Sequence, residues 1–400
     1  MTIKNRHLFR ITRIIILKIS FLFQFFGKFR TGKKRLLIIK TDAIGDYILF
    51  RNFIEITRLS EEFKDYRIDL LGNTLWKDIA LKYDAPFINE FYFTSVYELY
   101  EAPLKLLKLG WRLFKNNYQT VLQPAYTRLL ITDGLAALTA AKHIIGFNGD
   151  NEGIEMKYKV KTDEFYSRLL ILPQNVYFEF DRSRFFFESV LNHTIHLNAP
   201  FITINNAAKK GIVIFTGPEI LKRNWGAANL LALIKLIRQN TPEPIYLLGG
   251  PGELQTGDYL TKNLPPQSVN NLIGKTSLPQ LIEFIGNSAL IIANETSAVH
   301  IAAATKTKSV CILGGGHFGR FAPYPQHMES QPLCVYEKME CYNCNWNCKF
   351  KTNENDPYPC VSAINLKKVW QATLQLLPGI KSQDIKAANE ENNNYSDAIN

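Results

Sequence analysis

The sequence predicts an α/β protein built from two Rossmann-like domains with a cleft between them. Short apolar runs rich in Ile and Leu alternate with longer amphipathic segments, which is the pattern of parallel strands joined by helices. The alternation occurs in two sets, one before about residue 166 and one after Pro200. A length of 400 residues also suits two domains. We therefore expect an N-terminal domain over 35–195 and a C-terminal domain over 196–380, with a linker near 195–209.

Each predicted element rests on its own pattern of apolar residues. Strands are predicted at short segments that are rich in apolar residues, at 36–39, 67–72, 88–93, 120–123 and 143–147, and again at 211–215, 245–248, 271–273, 289–293 and 309–313. Helices are predicted where apolar residues recur at helical spacing, at 47–59, 74–83, 98–116, 129–141, 175–191, 227–239, 278–286, 297–305 and 366–377. Residues 150–166 interrupt this rhythm.

Composition and charge indicate which classes of partner the chain can bind. Hydrophobic residues make up 46% of the chain, enough for two sizeable cores. The net charge is +11, from 47 Lys and Arg against 36 Asp and Glu, so the chain attracts anions such as nucleic acid, anionic membranes or phosphorylated substrates. Because no recognisable nucleic-acid-binding module is present in the sequence, we expect no nucleic acid partner. Anionic membranes and phosphorylated substrates are therefore the favoured partners.

The two ends of the chain differ from the rest. Residues 5–35 hold nine Lys and Arg and no acid, with Ile, Leu and Phe between them. The longest uncharged stretch, 19–27, is far shorter than the roughly 20 residues of a membrane-spanning helix. We therefore predict that 1–34 form a basic amphipathic segment on an anionic membrane surface. The alternative is a helix packed on the protein's own core. The polar end, 381–400, is predicted to be disordered.

The most informative single residue is Asp46. An apolar strand at 36–39 leads into a short loop with Gly45, and a helical pattern follows. Ligands bind outside the carboxyl ends of strands in open α/β sheets, and a carboxylate held there can act as a general base. The alternative is a first-turn carboxylate that only stabilises the helix dipole.

Three segments of the C-terminal domain are candidates for a nucleotide site. Residues 215–225 follow a strand, contain Thr216, and place Lys222 and Arg223 before a tryptophan; the alternative is a surface pair of cations. The glycine-rich turn at 249–252 ends a further strand and is followed by Glu253.

The third segment combines two motifs. The run Gly274-Lys275-Thr276-Ser277-Leu278 precedes a strand that ends in Asn294-Glu295-Thr296-Ser297, with His300 one turn into the next helix. Thr296 and Ser297 can cap that helix, whose free N–H groups can hold a diphosphate without a metal ion. The alternative is ordinary N-capping. His300 either reaches the phosphates or orients the loop.

These segments together resemble the signatures of the bacterial heptosyltransferases, glycosyltransferase family 9, over roughly 35–378. The resemblance implies a GT-B architecture, with two Rossmann-like domains facing a central cleft. It implies that Asp46 is the catalytic base and that Thr41, Asp42 and Gly45 lie on the acceptor side. The donor would be bound by the following residues: Thr216, Lys222, Arg223, Glu253, Lys275, Glu295, Thr296, Ser297 and His300. Two of these depart from the family pattern, since Glu295 stands for an aspartate and Ser297 for a glycine, and these positions bear on which sugar is transferred.

The resemblance also implies a reaction. An inverting, metal-independent enzyme would move heptose or a related sugar from a nucleoside-diphosphate sugar, with ADP-heptose favoured, to a lipopolysaccharide core or other glycolipid, with no cofactor. It would be cytoplasmic and peripheral on the inner face of the cytoplasmic membrane. Three alternatives remain: a sugar-nucleotide epimerase, a donor-binding protein that has lost turnover, and a membrane-associated scaffold.

Cysteines cluster late in the chain. Cys341, Cys344 and Cys348 are separated by two and three residues, and Cys360 follows. This spacing can hold zinc or an iron–sulfur cluster, whereas the alternative is reduced thiols or a local redox pair. No metal is expected in catalysis. His317, after the glycines at 314–316, is a further candidate for the cleft.

Overall fold

A computed structural model describes residues 4–205, 208–218 and 220–377. The predicted disordered tail at 381–400 lies outside the described residues. The chain divides into two compact units between Leu197 and Asn198. Each unit is built on a parallel sheet of six strands.

The N-terminal unit has strand order β3-β2-β1-β4-β5-β6. Its strands are β1 (Lys33–Lys40), β2 (Arg67–Asn73), β3 (Glu90–Thr94), β4 (Tyr118–Gln123), β5 (His143–Phe147) and β6 (Arg168–Leu170). Its helices are α1 (Arg6–Ile14), α2 (Ser20–Gly27), α3 (Ile44–Phe50), α4 (Asn52–Leu59), α5 (Lys77–Tyr83), α6 (Val96–Leu99), α7 (Pro103–Lys115), α8 (Leu130–Leu138), α9 (Met156–Asp163) and α10 (Glu179–Leu191). The order reverses between β1 and β4, which is the switch point where such sheets open a ligand crevice.

The sequence pattern misplaced several helices of this unit. The single helix predicted at 47–59 is two helices, α3 and α4. The helix predicted at 98–116 is also divided, because Pro103 begins α7 and separates it from α6. The interruption at 150–166 contains α9, whose exposed Met156 and Val160 conceal an amphipathic pattern.

The basic N-terminal segment forms a continuous helical stretch from α1 through a π-helical segment (Ile15–Ile19) to α2. Its inner face packs on α8, where a Cβ on Gly134 would lie 2.6 Å from Ile16. The alternative of a helix packed on the protein's own core is therefore correct for this face. The outer face leaves large apolar side chains in solvent, among them Leu22, Phe25 and Phe29. Among the described residues, none of the helices combines the length and apolar character needed to cross a bilayer.

The C-terminal unit has strand order β12-β11-β10-β7-β8-β9. Its strands are β7 (Ile212–Phe215), β8 (Ile245–Leu248), β9 (Asn270–Asn271), β10 (Leu290–Asn294), β11 (Lys308–Ile312) and β12 (Leu333–Val335). Its helices are α11 (Ala227–Asn240), α12 (Leu254–Lys262), α13 (Leu278–Gly286), α14 (Ser297–Ala304), α15 (Pro359–Ser362) and α16 (Leu366–Leu376). Buried Trp225 and Trp370 contribute to the core beside this sheet. The switch point lies between β7 and β10.

Candidate functional site

Asp46 lies at the carboxyl end of β1, in the first turn of α3. The strand is buried over its last five residues, so the chain leaves the sheet at a fixed point. Ala43 is the N-cap residue of α3 and offers no side-chain acceptor. Asp46 is half-buried, as is the preceding Gly45. The position at the switch point is the one that the sequence predicts.

A buried cation lies behind this loop. The Lys40 ammonium is fully buried and pairs with Asp42 at 2.7 Å and with Glu179 of α10 at 3.9 Å. Burial alone would lower the pKa of Lys40, but the charges of Asp42, Glu179 and Asp46 raise it above the usual value. Lys40 therefore stays charged at neutral pH and is electrostatically coupled to Asp46.

The loop is also held by the neighbouring strand. Asn73, at the end of β2, donates its side-chain amide to the Thr41 carbonyl at 2.9 Å, and the Trp76 indole donates to the Asp42 carbonyl at 3.0 Å. The Trp76 ring stacks on Tyr47 with centroids 3.7 Å apart. Sequence reasoning missed Asn73 and Trp76, although polar residues after a strand adjacent to β1 were the available signal.

The donor candidates meet around the end of β10. Asn294 receives the backbone N–H of Trp225 at 3.4 Å and donates to the Arg223 carbonyl at 3.3 Å. These bonds fix the loop after β7 beside the start of α14. The Arg223 guanidinium lies over the ring of Trp346, 4.4 Å from its centroid.

Three polar atoms at this point lack partners. Nε of Arg223, Oε2 of Glu295 and the hydroxyl of Thr296 are buried and make no hydrogen bond to any described residue. Thr296 occupies the N-cap position of α14 as predicted, but its hydroxyl makes no capping bond within the described chain. Buried polar atoms are usually satisfied, so this arrangement is typical of a site that a polar ligand completes.

The charges of this cluster are unusual. Burial raises the pKa of Glu295 to about 7, and the nearby Arg223 opposes that shift. Burial lowers the pKa of Arg223, with Glu295 again opposing. Near neutral pH the Glu295 carboxyl is therefore partly protonated beside a guanidinium, which favours the approach of an anion.

Thr216 and Glu253 lie together at the ends of β7 and β8. The Thr216 hydroxyl donates to the Leu248 carbonyl at 3.2 Å, so its proton is used in a hydrogen bond to the backbone of the neighbouring strand. Buried Glu253 packs against the glycine turn, where a Cβ on Gly249 would lie 3.1 Å from its carboxylate and 2.7 Å from the Thr216 hydroxyl. Gly274 donates its N–H to the Gly249 carbonyl at 3.0 Å, which joins the second segment to the third.

The remaining donor candidates are less closely joined. Lys275 is exposed and donates to the Asn271 carbonyl at 2.9 Å. The Lys222 ammonium lies near Thr352, at 3.4 Å. Half-buried Ser297 begins α14.

His300 is buried one turn into α14. Its Nδ1 lies 2.8 Å from the Tyr324 hydroxyl, and the two rings are stacked. Burial lowers the pKa of His300 to about 4, so the imidazole is neutral at physiological pH. This geometry favours the orientation of the loop over a charge contact with phosphate.

The late cysteines face one another without a bridge. All six cysteines are free thiols, and Cys341, Cys344, Cys348 and Cys360 line one small cavity of about 10 Å³. Among the described residues no group of three or more His, Cys, Asp or Glu is placed to hold a metal ion. His317 lies in the same region, with its ring 2.5 Å from the Asn345 side-chain oxygen.

Comparison with known proteins agrees with this architecture. A family model described as glycosyltransferase family 9 (heptosyltransferase) matches residues 106–350, more than half of the chain. Lipopolysaccharide heptosyltransferase 1 of Campylobacter coli is 23% identical over 306 residues, which cover 70% of this chain and 84% of that protein.

Solved structures share the fold. The ADP-heptose LPS heptosyltransferase II of E. coli has a TM-score of 0.64 at 14% identity and covers 86% of this chain and 98% of its own. A family 9 glycosyl transferase of Veillonella parvula has a TM-score of 0.63 at 16% identity, covering 87% and 97%. An E. coli heptosyltransferase with ADP-2-deoxy-2-fluoro heptose has a TM-score of 0.61 at 16% identity, covering 84% and 98%. These matches confirm the predicted fold class and family. The chain belongs to glycosyltransferase family 9, the heptosyltransferase family, and is a glycosyltransferase of the GT-B fold.

Proposed function

We propose that the enzyme transfers heptose or a related sugar from ADP-heptose to a lipopolysaccharide core or another glycolipid, with inversion at the anomeric carbon. The relative from Campylobacter coli is named for lipopolysaccharide, and the E. coli structure holds an ADP-heptose analogue. The observation that carries the proposal is the set of three unpartnered polar atoms on Arg223, Glu295 and Thr296 at the switch point of the C-terminal unit. A nucleoside diphosphate supplies the partners that these atoms lack.

The donor's diphosphate fits the start of α14. The first N–H groups of a helix bind anions, and the unpartnered Thr296 hydroxyl is at that end. The Arg223 guanidinium offers further donors to phosphate oxygens. As the bond between the anomeric carbon and the diphosphate breaks, these groups stabilise the charge that builds up on the leaving group.

Asp46 serves the acceptor in this proposal. Its carboxylate takes the proton of the acceptor hydroxyl, and the oxygen attacks the anomeric carbon from the face opposite the diphosphate. ADP leaves with the electron pair of the broken bond. Lys40, which is coupled to Asp46 and paired with Asp42, places a buried positive charge behind the carboxylate that acts as the base.

Substitution of Asp46 tests the catalytic part. Asp46→Asn is expected to reduce kcat by about 100- to 10,000-fold, the range for a lost general base, and to leave donor affinity unchanged. ADP release with an extracted lipooligosaccharide acceptor measures kcat, and calorimetry measures donor binding. A normal rate in the variant would refute the role of Asp46. Change of the sugar nucleotide without any acceptor would favour the epimerase alternative instead.

We also propose that the N-terminal segment holds the enzyme against the inner face of the cytoplasmic membrane. We call Leu22, Phe25, Phe26 and Phe29 of this segment the aromatic face; all four are exposed, and Phe29 is 76% exposed. Phe23 contacts Trp111 of α7, whose own exposed side carries basic residues, namely Lys108, Arg112 and Lys115. Apolar side chains surrounded by cations suit an anionic lipid surface.

Vesicle binding tests the membrane part. Replacing Phe25 and Phe29 with Gln is expected to weaken binding to anionic vesicles at least about tenfold, since a buried Phe contributes about 1.5–3 kcal/mol. Exposed Tyr259 of α12 provides a matched control, Tyr259→Gln, which should bind as the wild type does. Equal binding by all three proteins would refute this anchoring surface.

A further inference from the structure

A basic pocket opens between the N-terminal helical stretch and α9, away from the groups assigned to the reaction. It has a volume of about 390 Å³ and is lined by four cations, Arg13, Lys18, Lys157 and Lys161, together with Tyr158. Cavities of this size accommodate ligands of roughly headgroup dimensions. Both walls belong to the N-terminal unit.

The charge of the pocket is only partly balanced within the protein. Lys157 pairs with Glu155, and Arg13 donates to the Tyr158 hydroxyl. Within the part of the chain that the structure describes, Lys18 and Lys161 make no ion pair, whereas the neighbouring Lys157 and Lys159 do. Two uncompensated ammonium groups on opposite walls, with Arg13 beside them, are suited to bind a phosphate.

The helices that form the two walls are fixed relative to each other. The π-helical segment Ile15–Ile19 carries Leu17 and Lys18 into the pocket, and such segments often occur at functional positions. Farther along the helix, Gln24 donates to the Phe165 carbonyl at 3.1 Å, and Phe21 packs edge-on against Phe165 at 5.1 Å. The position of α2 beside the end of α9 is thus fixed, and the pocket is preformed.

Apolar side chains flank the pocket on both sides. Ile14 lines the pocket and is 52% exposed. Met156 and Val160 of α9 precede the lining residues Lys157 and Lys161 and are 54% and 57% exposed. A site for free phosphate needs no such ridges, whereas a lipid phosphate arrives with acyl chains beside it. Apolar ridges around a cationic pocket match both parts of a phospholipid.

We propose that this pocket binds the phosphate of an anionic lipid, with the flanking apolar side chains entering the acyl region. The inference rests on the membrane part of the proposed function and adds a headgroup preference to it. It assigns to Lys18 and Lys161 a headgroup contact that the uncharged aromatic face does not supply.

Vesicles that differ only in headgroup test the preference. Full-length protein is titrated with phosphatidylcholine vesicles containing either phosphatidic acid or oleate, matched in surface potential. We expect at least about tenfold tighter binding to the phosphatidic acid vesicles. The double variant Lys18→Gln, Lys161→Gln should weaken that binding about 30-fold, which corresponds to about 1 kcal/mol for each lysine, and should lose the preference. The matched control is Lys235→Gln, Lys262→Gln, which removes two exposed charges from the C-terminal unit.

Three outcomes would overturn the proposal: equal wild-type binding to both vesicles, equal loss in the control variant, or displacement from phosphatidic acid vesicles by millimolar inorganic phosphate, which would identify a free-phosphate site. Two other measurements distinguish failure of this proposal from failure of the proposed function. Absence of wild-type binding to every vesicle refutes membrane anchoring, and sugar transfer to a water-soluble, deacylated acceptor reports on the reaction in all variants.

Discussion

Glu295 makes donor binding depend on pH in a direction that the structure fixes. Burial raises the pKa of this carboxyl from 4.5 to about 7, so ionising it in the folded protein costs roughly 3 kcal/mol more than in the unfolded chain. A diphosphate bound at the adjacent Thr296 repels the ionised form and raises the pKa further. Binding therefore takes up a proton, and donor affinity falls as the pH rises through about 7.

The size of the effect follows from linkage. If the bound diphosphate raises the pKa of Glu295 by about one unit, affinity falls about tenfold from well below to well above neutral pH. Glu295→Gln keeps the shape of the side chain and removes its ionisation. The variant should bind the donor with the affinity that the wild type has at low pH, and with little dependence on pH.

Folding stability should change with the same sign. An acid whose pKa is raised on folding loses stability as the pH rises from about 4.5 through about 7. The Gln variant should therefore gain in melting temperature relative to wild type above neutral pH.

Calorimetry with ADP-glucose between about pH 6 and about pH 8 measures the effect, because the diphosphate of a sugar nucleotide has no group that titrates near neutral pH. His300, with a pKa of about 4, does not titrate in this window either. Asp258→Asn on exposed α12 is the matched control and should keep the wild-type slope. A flat wild-type profile, or the same slope in Glu295→Gln, would refute the reasoning.

Three further substitutions separate positioning from binding. Lys40→Met leaves Asp42 without its buried cation and should lower stability by about 3–5 kcal/mol together with kcat, as thermal melts and initial rates will show; an unchanged melting temperature would contradict the ion pair. Gly249→Ala places a Cβ 2.7 Å from the Thr216 hydroxyl and should weaken ADP binding and destabilise by about 1–3 kcal/mol, with normal calorimetry counting against the close packing. Thr296→Val removes an unpartnered hydroxyl and should lower donor affinity by about 1 kcal/mol without loss of melting temperature, whereas a large loss would show a structural role.

The fold was largely predictable because most strands are continuous apolar runs in the interior of parallel sheets. The strand predicted at 143–147 has the same bounds as β5. The single helix predicted at 98–116 was wrong because it ignored Pro103, which begins α7. Two short edge strands, β6 and β12, were not predicted. Each has three residues, of which one is buried, and this is too few to form a recognisable apolar pattern.

The sequence predicted only those features of the candidate site that depend on where a residue lies relative to a strand end. Asp46 and Thr296 follow strands at the two switch points, which local pattern reveals. The contacts of Trp76 with the Asp42 carbonyl and of Tyr324 with His300 join segments distant in sequence, so spacing could not indicate them. Nor could it show that the Thr296 hydroxyl lacks a partner, because N-capping was the ordinary expectation.

The unpartnered atoms also bear on whether this site still binds a donor or is an idle site that has lost binding. Each buried polar group without a hydrogen bond costs about 1–3 kcal/mol, a considerable part of the 5–15 kcal/mol that stabilises a typical domain. Three such groups meet on Arg223, Glu295 and Thr296. An idle site gains stability from apolar replacements there, whereas a working site recovers the loss when the donor binds. ADP-sugars should therefore raise the melting temperature of the wild type more than that of Thr296→Val, and an equal rise in both would favour the idle site.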